Sequence, residues 1–470
     1  MVWSFFFIGF FFYGGALALR HYWFQTSAWD LGIFNQAIYL ISQGLPPQSS
    51  LLGFHILGDH GALVLYPLGW LAAFIPSLKL LFVLQAAALS SAVFPLARLA
   101  KQQSLSKKAT SASLFMVLLY PVIFNTAIFD FHPEVFAFPL LMEALVNLEN
   151  PQQLSNVRAV LCLLFALTCK VSISLLVLGI GIWLLLKKRR AIGICLCLLA
   201  TLWLIVIGTW LIPAYGGESA QLTRHIGKFG LDPSSDIHLN NLVNIIMQLA
   251  SQFFSIVNVE YILLVILPVA YLMIHSSRLK LLFYLLPFTP LMLLNLLSAD
   301  AALKDLVHHY SLLLVPFLAI AVQKTLSPQP NGLLGYPAFF SRKAPLFIIC
   351  WSIVTFLALS RFTFFFGPFQ QTLDTSKERY EAIALAGKDT AILTSNNLVP
   401  HLSSRKIIDF TTEKQITNIN QFEQILLDTK YPGWGSSDGL VKQIVKLVNE
   451  DPNWSIIFQK KSVLLYEKFK

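Results

Sequence analysis

The stretch Trp29-Asp30-Leu31-Gly32-Ile33-Phe34-Asn35-Gln36 follows a first apolar segment, Val2 to Leu19, and places a carboxylate just beyond it. The chain has 470 residues, of which 56% are hydrophobic and only 12% are charged. Soluble domains contain about 25% charged residues. The composition therefore predicts a membrane protein in which Asp30 lies where the first span meets water.

The other apolar runs are long and continuous, as helical spans of about 20 residues require, and they lack the alternation of a membrane β-barrel. We predict an all-α polytopic membrane protein of about 11 transmembrane helices, with an interfacial or re-entrant helix within residues 61–76. The predicted spans are residues 2–19, 79–99, 109–127, 135–148, 158–169, 173–186, 191–211, 259–275, 279–297, 309–324 and 345–361. The first span has no basic segment before it, which favours a retained signal-anchor over a cleaved signal peptide.

The formal net charge of +10 does not indicate a nucleic-acid partner, because the basic residues occur in short clusters between apolar runs. Such clusters mark cytoplasmic loops, and the clearest lie at residues 98–108, 187–190, 278–280 and 342–343. This assignment makes no use of acids, yet it places a set of them together on the opposite side. They are Asp30, Asp59, Asp130, Glu134, Asp300 and Asp305. The five cysteines lie inside apolar runs and indicate neither a disulfide framework nor a zinc site.

The composition changes after Arg361, so we predict a transmembrane domain over residues 1–361 and a small extracytoplasmic α/β domain over residues 362–470. Apolar runs in the second part are too short to cross a membrane. Strands are predicted at residues 390–394, 406–410, 454–459 and 462–466, and helices at residues 421–428 and 440–449.

Asp30 is the first candidate for chemistry. An aspartate before a helix commonly caps it, because its carboxylate accepts free backbone N–H groups. The alternative is that Asp30 acts at the membrane surface as a general base or as a ligand for a cation. The residues around Asp30 leave both interpretations open.

Gly58-Asp59-His60-Gly61 is a second polar cluster, placed just before an apolar helix. Capping is again the simpler interpretation. The flanking glycines, however, allow a ligand to approach the backbone closely. Asp59 and His60 are then candidates for binding a metal or orienting a phosphate.

Phe129-Asp130-Phe131-His132-Pro133-Glu134 is the densest polar cluster at the end of a span. Pro133 fits the first turn of a helix, which places Asp130 and His132 at an N-terminus that attracts anions. We predict that His132 helps to hold a phosphate or diphosphate there, or that Asp130 and Glu134 hold a divalent cation. The alternative is capping combined with anchoring at the interface.

Lys170 interrupts an apolar run, and a charge in such a place is a functional hypothesis by default, although snorkelling to the surface also explains it. His308-His309-Tyr310 opens a later span on the same side. The two histidines are candidate phosphate donors, and Tyr310 also fits an interfacial aromatic belt.

These motifs together resemble the bacterial family of predicted membrane proteins called domain of unknown function 2079. The resemblance rests on residues 26–36, 57–60 and 129–133, and continues through His309-Tyr310 and Pro316-Phe317 to the tail segment 397–405. It covers nearly the whole chain. That family in turn looks related to the C-type glycosyltransferases.

The resemblance implies a multi-pass protein of the bacterial cytoplasmic (inner) membrane that serves the cell envelope. Its expected activity is transfer of a hexosyl or pentosyl group from a polyprenyl-phosphate carrier to an acceptor at the outer face. Asp30 occupies the position of the catalytic aspartate, which acts on the acceptor as a base or helps to hold a metal. The residues expected at the donor phosphate are Asp59, His60, Asp130, His132, Lys170, His308, His309 and Tyr310.

The same resemblance leaves room for a divalent cation, magnesium or manganese, held by Asp30, Asp130 and Glu134. The expected partners are the lipid-linked sugar, membrane lipid and an acceptor. One departure concerns Lys170-Val171-Ser172, where the family usually has Lys-Glu-Asp. The loss of both acids fits altered specificity or a non-catalytic member.

Two other classes of protein compete with the enzyme. A transporter or lipid flippase places its polar groups near the bilayer midplane, often in two repeated halves. This chain shows no internal repeat and its charges lie at span ends. A non-catalytic membrane scaffold whose tail binds a partner is the third interpretation.

Overall fold

A computed structural model of the chain describes residues 1–150, 152–218, 225, 239–274, 278–326, 338–362 and 372–469. These residues form a helical membrane part followed by a small α/β part. The α-helices of the membrane part are Val2–Tyr22, Ile33–Ser42, Leu57–His60, Leu65–Ala72, Ser77–Ser91, Val93–Gln102, Lys107–Leu118, Pro121–Ile128, Ala137–Leu148, Gln153–Leu167, Ile173–Leu186, Arg190–Ile205, Ile212–Ala214, Leu239–Phe253, Ile256–Ile266, Arg278–Leu285, Thr289–Leu297, Val315–Leu326 and Ala338–Leu359.

Among the described residues, four helices are long and apolar enough to cross a membrane: Val2–Tyr22, Ser77–Gln102, Arg190–Ala214 and His309–Leu326. Two pairs of helices qualify if each pair is one bent span. They are Lys107–Leu118 with Pro121–Ile128, bent by 40°, and Val243–Phe253 with Ile256–Tyr271, bent by 42°. Several of the other predicted spans correspond to apolar helices of 10–17 residues. The helical membrane class is therefore confirmed, but the predicted number of 11 spans is not.

The spans differ in how much protein surrounds them. Only 17% of the most apolar stretch of Val2–Tyr22 is buried. The buried share of the corresponding stretch of His309–Leu326 is 83%. Exposed side chains on the first helix include Trp3, Ile8 and Phe11. Large apolar side chains left uncovered along a helix of this length fit contact with lipid. The first helix therefore lies at the edge of the bundle and His309–Leu326 at its centre.

The predicted interfacial helix is present as the short helix Leu65–Ala72. Trp70 on it is 64% exposed, and Phe74 just after it is 88% exposed. Tryptophan is enriched at membrane–water interfaces, so the exposed Trp70 fits the interfacial interpretation.

One helix was not predicted. Leu239–Phe253 lies where the sequence predicts a loop. Polar residues such as Asn244 and Gln248 interrupt its apolar residues, so it has no continuous apolar run. A criterion that requires such a run misses a helix with only one apolar face.

The C-terminal part contains a five-stranded sheet of order β2-β1-β3-β5-β4. The strands are β1 (Ile392–Thr394), β2 (Ile408–Phe410), β3 (Gln424–Asp428), β4 (Trp454–Lys460) and β5 (Val463–Lys468). β1 pairs in parallel with β2 and β3, whereas β5 is antiparallel to both β3 and β4. Its α-helices are Ser376–Leu385, Val399–Leu402, Glu413–Thr417 and Asp438–Glu450. The four predicted strands and the predicted helix at residues 440–449 are confirmed.

The helix predicted at residues 421–428 is wrong, because Gln424–Asp428 forms the central strand β3. All five residues of β3 are buried. A strand covered on both faces is a continuous apolar run, and periodicity does not distinguish such a run from a buried helix.

The sheet joins the two parts of the molecule. One face packs against Val441, Ile444 and Val448 of the helix Asp438–Glu450. On the other face, residues such as Ile392 and Leu465 belong to the same continuous apolar core as the membrane helices. The α/β part is therefore packed against the helical part through a shared core.

Candidate active site

Asp30 lies on the turn Ala28–Gly32, between the first helix and Ile33–Ser42, where the backbone angles of Trp29 and Asp30 are not helical. Its φ of 67° is in the left-handed region, which costs a non-glycine residue about 1–3 kcal/mol and is concentrated at functional sites. Asp30 is not at the cap position of either element, which is Ser27 for Ala28–Gly32 and Gly32 for Ile33–Ser42. The capping interpretation of Asp30 is therefore not supported.

The carboxylate of Asp30 instead faces His132, with 3.2 Å between Asp30 Oδ1 and His132 Nε2. Burial by itself would raise the pKa of Asp30, but His132, with smaller contributions from His309 and His60, outweighs it and lowers the pKa to about 2. Burial would lower the pKa of His132, but Asp30 and Glu134 raise it. The carboxylate of Asp30 is therefore ionised at neutral pH. The imidazole beside it, that of His132, takes up a proton more readily than an ordinary histidine does.

Asp130 has a different partner. Its Oδ1 lies 2.5 Å from Nη1 of Arg20, and its Oδ2 accepts the Ser27 N–H at 3.0 Å. The same guanidinium donates to the carbonyl of Ile128. Asp130 is 1% exposed and has a φ of 115°. The pair thus ties the end of the first helix to the loop that carries His132.

Glu134 is the centre of a buried group of charges behind His132. Its Oε1 lies 2.9 Å from both Lys170 Nζ and His309 Nε2. The rings of His309 and His132 are 3.6 Å apart. Although burial opposes ionisation, His309 and Lys170 hold the pKa of Glu134 well below its usual value. A continuous polar chain therefore runs from Asp30 through both histidines to Glu134 and Lys170.

A cavity of about 900 Å³ opens beside Asp30, between the helical part and the C-terminal part; we name it the interdomain cavity. From the helical part it is lined by Arg20, Trp29, Asp30, Asp130, His308, His309 and Tyr310. From the C-terminal part it is lined by Asn396, Asn397, Lys430, Tyr431, Gly433 and Trp434. Five of the residues predicted from the sequence therefore share one cavity wall: Asp30, Asp130, His308, His309 and Tyr310.

The other predicted residues lie behind the cavity or beside it. His132, Lys170 and Glu134 form the buried layer behind Asp30. Asp59 and His60 are 3.5 Å apart and are not part of the cavity wall. His60 is nevertheless near enough for its charge to help lower the pKa of Asp30.

The predicted divalent-cation site does not fit these contacts. Asp130 is occupied by Arg20, and Glu134 by Lys170 and His309. Within the ranges that the structure describes, no group of three or more His, Cys, Asp or Glu side chains is arranged to hold a metal ion. Asp30, Asp130 and Glu134 therefore do not form a common ligand set here, and dependence on magnesium or manganese stays a prediction.

Sequence reasoning missed Arg20 and every cavity residue from the C-terminal part. Arg20 is a charge at the end of an apolar helix, which is a recognisable signal. The cavity residues of the C-terminal part carry a weaker signal. It is the aromatic and glycine-rich segment Tyr431-Pro432-Gly433-Trp434-Gly435.

Polar side chains of the segment that begins at Trp29 and ends at Gln36 hold the C-terminal part in place. Asn35 Nδ2 donates to Ser403 Oγ at 2.8 Å, and Gln36 Nε2 donates to the carbonyl of Lys406 at 3.2 Å. The Ala28 N–H donates to Asn396 Oδ1 at 3.3 Å. Asn35 and Gln36 therefore act in docking the two parts, whereas Asp30 remains directed at the cavity.

Replacing His132 by glutamine is expected to destabilise the protein most at mildly acidic pH. The lowered pKa of Asp30 gives stability above its usual value of 3.8, which is lost as pH falls through about 2. The raised pKa of His132 gives stability below its usual value of 6.5, which is lost as pH rises through the raised value. The cost should therefore be largest between about pH 4 and 6.5, and roughly 2 kcal/mol in size.

Unfolding of the wild type and of His132→Gln in nanodiscs between pH 4 and 9 measures this cost. His308→Gln is the matched control, because His308 pairs with Asp305 at 2.8 Å but both side chains are about one-third exposed. Solvent screening makes such a pair worth little. An equal cost of His132→Gln at every pH would contradict the ion pair.

Comparison with known proteins places the chain in a family. The sequence profile of a family described as predicted membrane protein (DUF2079) matches residues 20–465. This match confirms the resemblance to that family that the motifs indicated. No curated protein sequence matches the chain.

Among solved structures, ArnT from Cupriavidus metallidurans bound to undecaprenyl phosphate matches with a TM-score of 0.59 at 10% identity, covering 99% of this chain and 97% of that one. ArnT from the same organism in the apo state matches with a TM-score of 0.57 at 10% identity and 96% coverage of both chains. The arabinofuranosyltransferase AftD from Mycobacteria matches with a TM-score of 0.46 at 13% identity, covering 97% of this chain and 40% of that one. The ArnT matches show that the chain has the C-type glycosyltransferase fold.

Proposed function

The chain belongs to the DUF2079 family of predicted membrane proteins, and we propose that it is a membrane glycosyltransferase. It transfers a sugar from a polyprenyl-phosphate carrier to an acceptor at the outer face of the bacterial cytoplasmic membrane. The observation that carries the proposal is the position of the Asp30 carboxylate, which lies at the wall of the interdomain cavity with Oδ1 3.2 Å from His132 Nε2.

The lipid carrier is supported by two observations. The chain shares the fold of an ArnT structure that is bound to undecaprenyl phosphate. Its own cavity is lined by the guanidinium of Arg20 and the imidazole of His308. Arginine and histidine donate charge-assisted hydrogen bonds to phosphate oxygens. We assign the donor phosphate to the Arg20 and His308 side of the cavity.

Asp30 acts as the general base in this proposal. As the acceptor hydroxyl oxygen attacks the anomeric carbon of the donor sugar, its proton passes to the Asp30 carboxylate. The bond between the anomeric carbon and the phosphate oxygen breaks, and polyprenyl phosphate leaves with the electron pair. The cavity cations stabilise the charge that grows on the leaving phosphate.

The buried layer behind Asp30 positions this base. His132 orients the carboxylate, and its ring packs against His309, which Glu134 holds in turn. Lys170 neutralises Glu134 and lies 4.9 Å above the Tyr310 ring. We infer that Lys170 supports the site from behind, so that the acids absent at Val171 and Ser172 are not needed for this contact.

The proposed sides of the membrane follow from the same cavity. In the topology predicted from the sequence, the acids and imidazoles of the site lie opposite the basic clusters that mark cytoplasmic loops. We therefore place the site, and the C-terminal domain that covers it over residues 362–470, on the outer face.

The test is a transfer assay that does not require the acceptor to be known. Purified protein in nanodiscs is incubated with labelled hexosyl and pentosyl polyprenyl phosphates, and release of polyprenyl phosphate is followed with water as a slow acceptor. We expect one donor to be consumed. A protein that neither binds nor consumes any of these donors would not be a polyprenyl-phosphate-dependent transferase.

A further inference from the structure

The C-terminal loop of residues 430–435 presents an exposed tryptophan to the interdomain cavity. Trp434 is 69% exposed, although indole rings are usually well covered in folded proteins. Opposite it, Trp29 is 37% exposed and immediately precedes Asp30. The centroids of the two rings are 6.4 Å apart and their planes are nearly perpendicular at 82°. Two aromatic surfaces therefore border the cavity next to the proposed base.

This loop is held in a defined conformation. Gly433 and Gly435 have φ values of 83° and 80°, which side chains other than that of glycine rarely adopt. Tyr431 Oη donates to Asp374 Oδ1 at 3.0 Å, and Lys430 Nζ lies 2.6 Å from Asp374 Oδ2. The Lys430 charge is thus offset by a carboxylate. The loop presents an aromatic surface with little net charge.

Unpaired amide groups lie beside the two rings. Asn396 is 2% exposed, and its Oδ1 is fixed by the Ala28 N–H. Among the described atoms, Asn396 Nδ2 and Asn397 Oδ1 have no hydrogen-bond partner, and both residues line the cavity. A buried polar atom without a partner costs about 1–3 kcal/mol, so a ligand that pairs with it gains this amount. One donor and one acceptor without a hydrogen-bond partner therefore belong to residues of the cavity wall.

Aromatic surfaces and neutral amides together select a particular ligand chemistry. An apolar ligand would leave the amides unpaired, and an anion would gain little from a loop whose lysine is already paired. A sugar ring presents C–H groups to an aromatic face and hydroxyls at its edge. We propose that Trp434, Trp29, Asn396 and Asn397 form a binding subsite for a neutral sugar ring of the acceptor, which is thus a glycan or glycoconjugate.

The subsite deepens the proposed glycosyl transfer and rests on it. The donor enters from the bilayer and is assigned to the Arg20 and His308 side, whereas Trp434 belongs to the C-terminal domain. An acceptor arriving from water meets this domain first. Because Trp29 adjoins Asp30 in the chain, a sugar ring on the tryptophans has its hydroxyls near the base.

The test measures binding of neutral oligosaccharides to the full-length protein in nanodiscs by calorimetry. The probes are gluco-, manno-, galacto- and arabino-oligosaccharides, with undecaprenyl phosphate titrated in parallel. We expect at least one oligosaccharide to bind the wild type, and Trp434→Ala to weaken it by about tenfold or more. Trp434→Phe should retain part of the affinity, because it keeps an aromatic face.

Trp70→Ala is the matched control, because Trp70 is similarly exposed, at 64%, but lies outside the cavity wall. It should leave both titrations unchanged, and Trp434→Ala should leave undecaprenyl phosphate binding unchanged. Failure of every oligosaccharide to bind the wild type overturns the subsite. So does a Trp434→Ala variant that binds the oligosaccharide as tightly as the wild type, because the ring would then not contact the sugar.

The two proposals fail separately. A wild type that binds an oligosaccharide through Trp434 but not undecaprenyl phosphate keeps the sugar subsite and refutes the lipid-linked donor. The reverse result keeps the donor and refutes the subsite.

Discussion

Asp30→Asn is expected to reduce sugar transfer by roughly 10²–10⁴-fold, the usual contribution of a positioned acid or base. Asparagine has nearly the same shape as aspartate, but its amide takes up no proton from the acceptor hydroxyl. Binding of undecaprenyl phosphate should stay within about twofold, because the phosphate is assigned to Arg20 and His308. The measurement is the initial rate of polyprenyl phosphate release, together with a titration of the lipid.

The control is Asp389→Asn, which makes the same chemical change at an exposed carboxylate outside the cavity wall. Its rate should equal that of the wild type. A fully active Asp30→Asn variant would remove Asp30 from the chemistry, and the proposed mechanism would fail. If Asp30→Asn instead lost lipid binding and transfer together, Asp30 would be part of the donor site and not the base.

Arg20→Met is expected to lower the free energy of unfolding by about 3–5 kcal/mol, the cost of leaving one partner of a buried ion pair alone. Asp130 is 1% exposed and depends on this guanidinium. Burial raises the pKa of Asp130 and Arg20 opposes this rise, so the carboxyl should take up a proton in the variant. Denaturant titration in mixed micelles measures the loss.

Arg98→Met is the matched control for this loss. Arg98 forms a 2.7 Å pair with Glu143, but these side chains are 43% and 29% exposed. Removing such a pair should cost about 0–1 kcal/mol. The double variant Arg20→Met/Asp130→Asn should lose less stability than the sum of the single variants, because neither charge is then left unpaired. Strict additivity would show that the two side chains do not interact.

The pair with Arg20 also bears on the role that the sequence predicts for Asp130. The sequence predicts a group that binds phosphate or metal, and Asp130 does reach the cavity wall. Both carboxylate oxygens already have partners, one in Arg20 and one in the Ser27 N–H. A carboxylate whose oxygens both have partners holds the loop in place.

The chain by itself determined the class of protein and the positions at which its polar groups occur. Long apolar runs predict helices that cross a membrane, because lipid leaves the backbone no other partner than itself. The strands of the C-terminal part, except β3, also follow from local pattern. Asp30, Asp130 and the two histidines of the polar chain were recognised because they stand at the ends of apolar runs.

Which of these groups meet depends on how the helices and the sheet pack. Asp30 pairs with His132, Asp130 with Arg20, and Glu134 with Lys170 and His309, across long separations in sequence. Trp434 reaches the cavity only because Asn35, Gln36 and the shared core dock the C-terminal part there. Helix and strand patterns are local properties of the sequence. Ion pairing and desolvation depend instead on distances of a few ångströms between groups that only packing brings together.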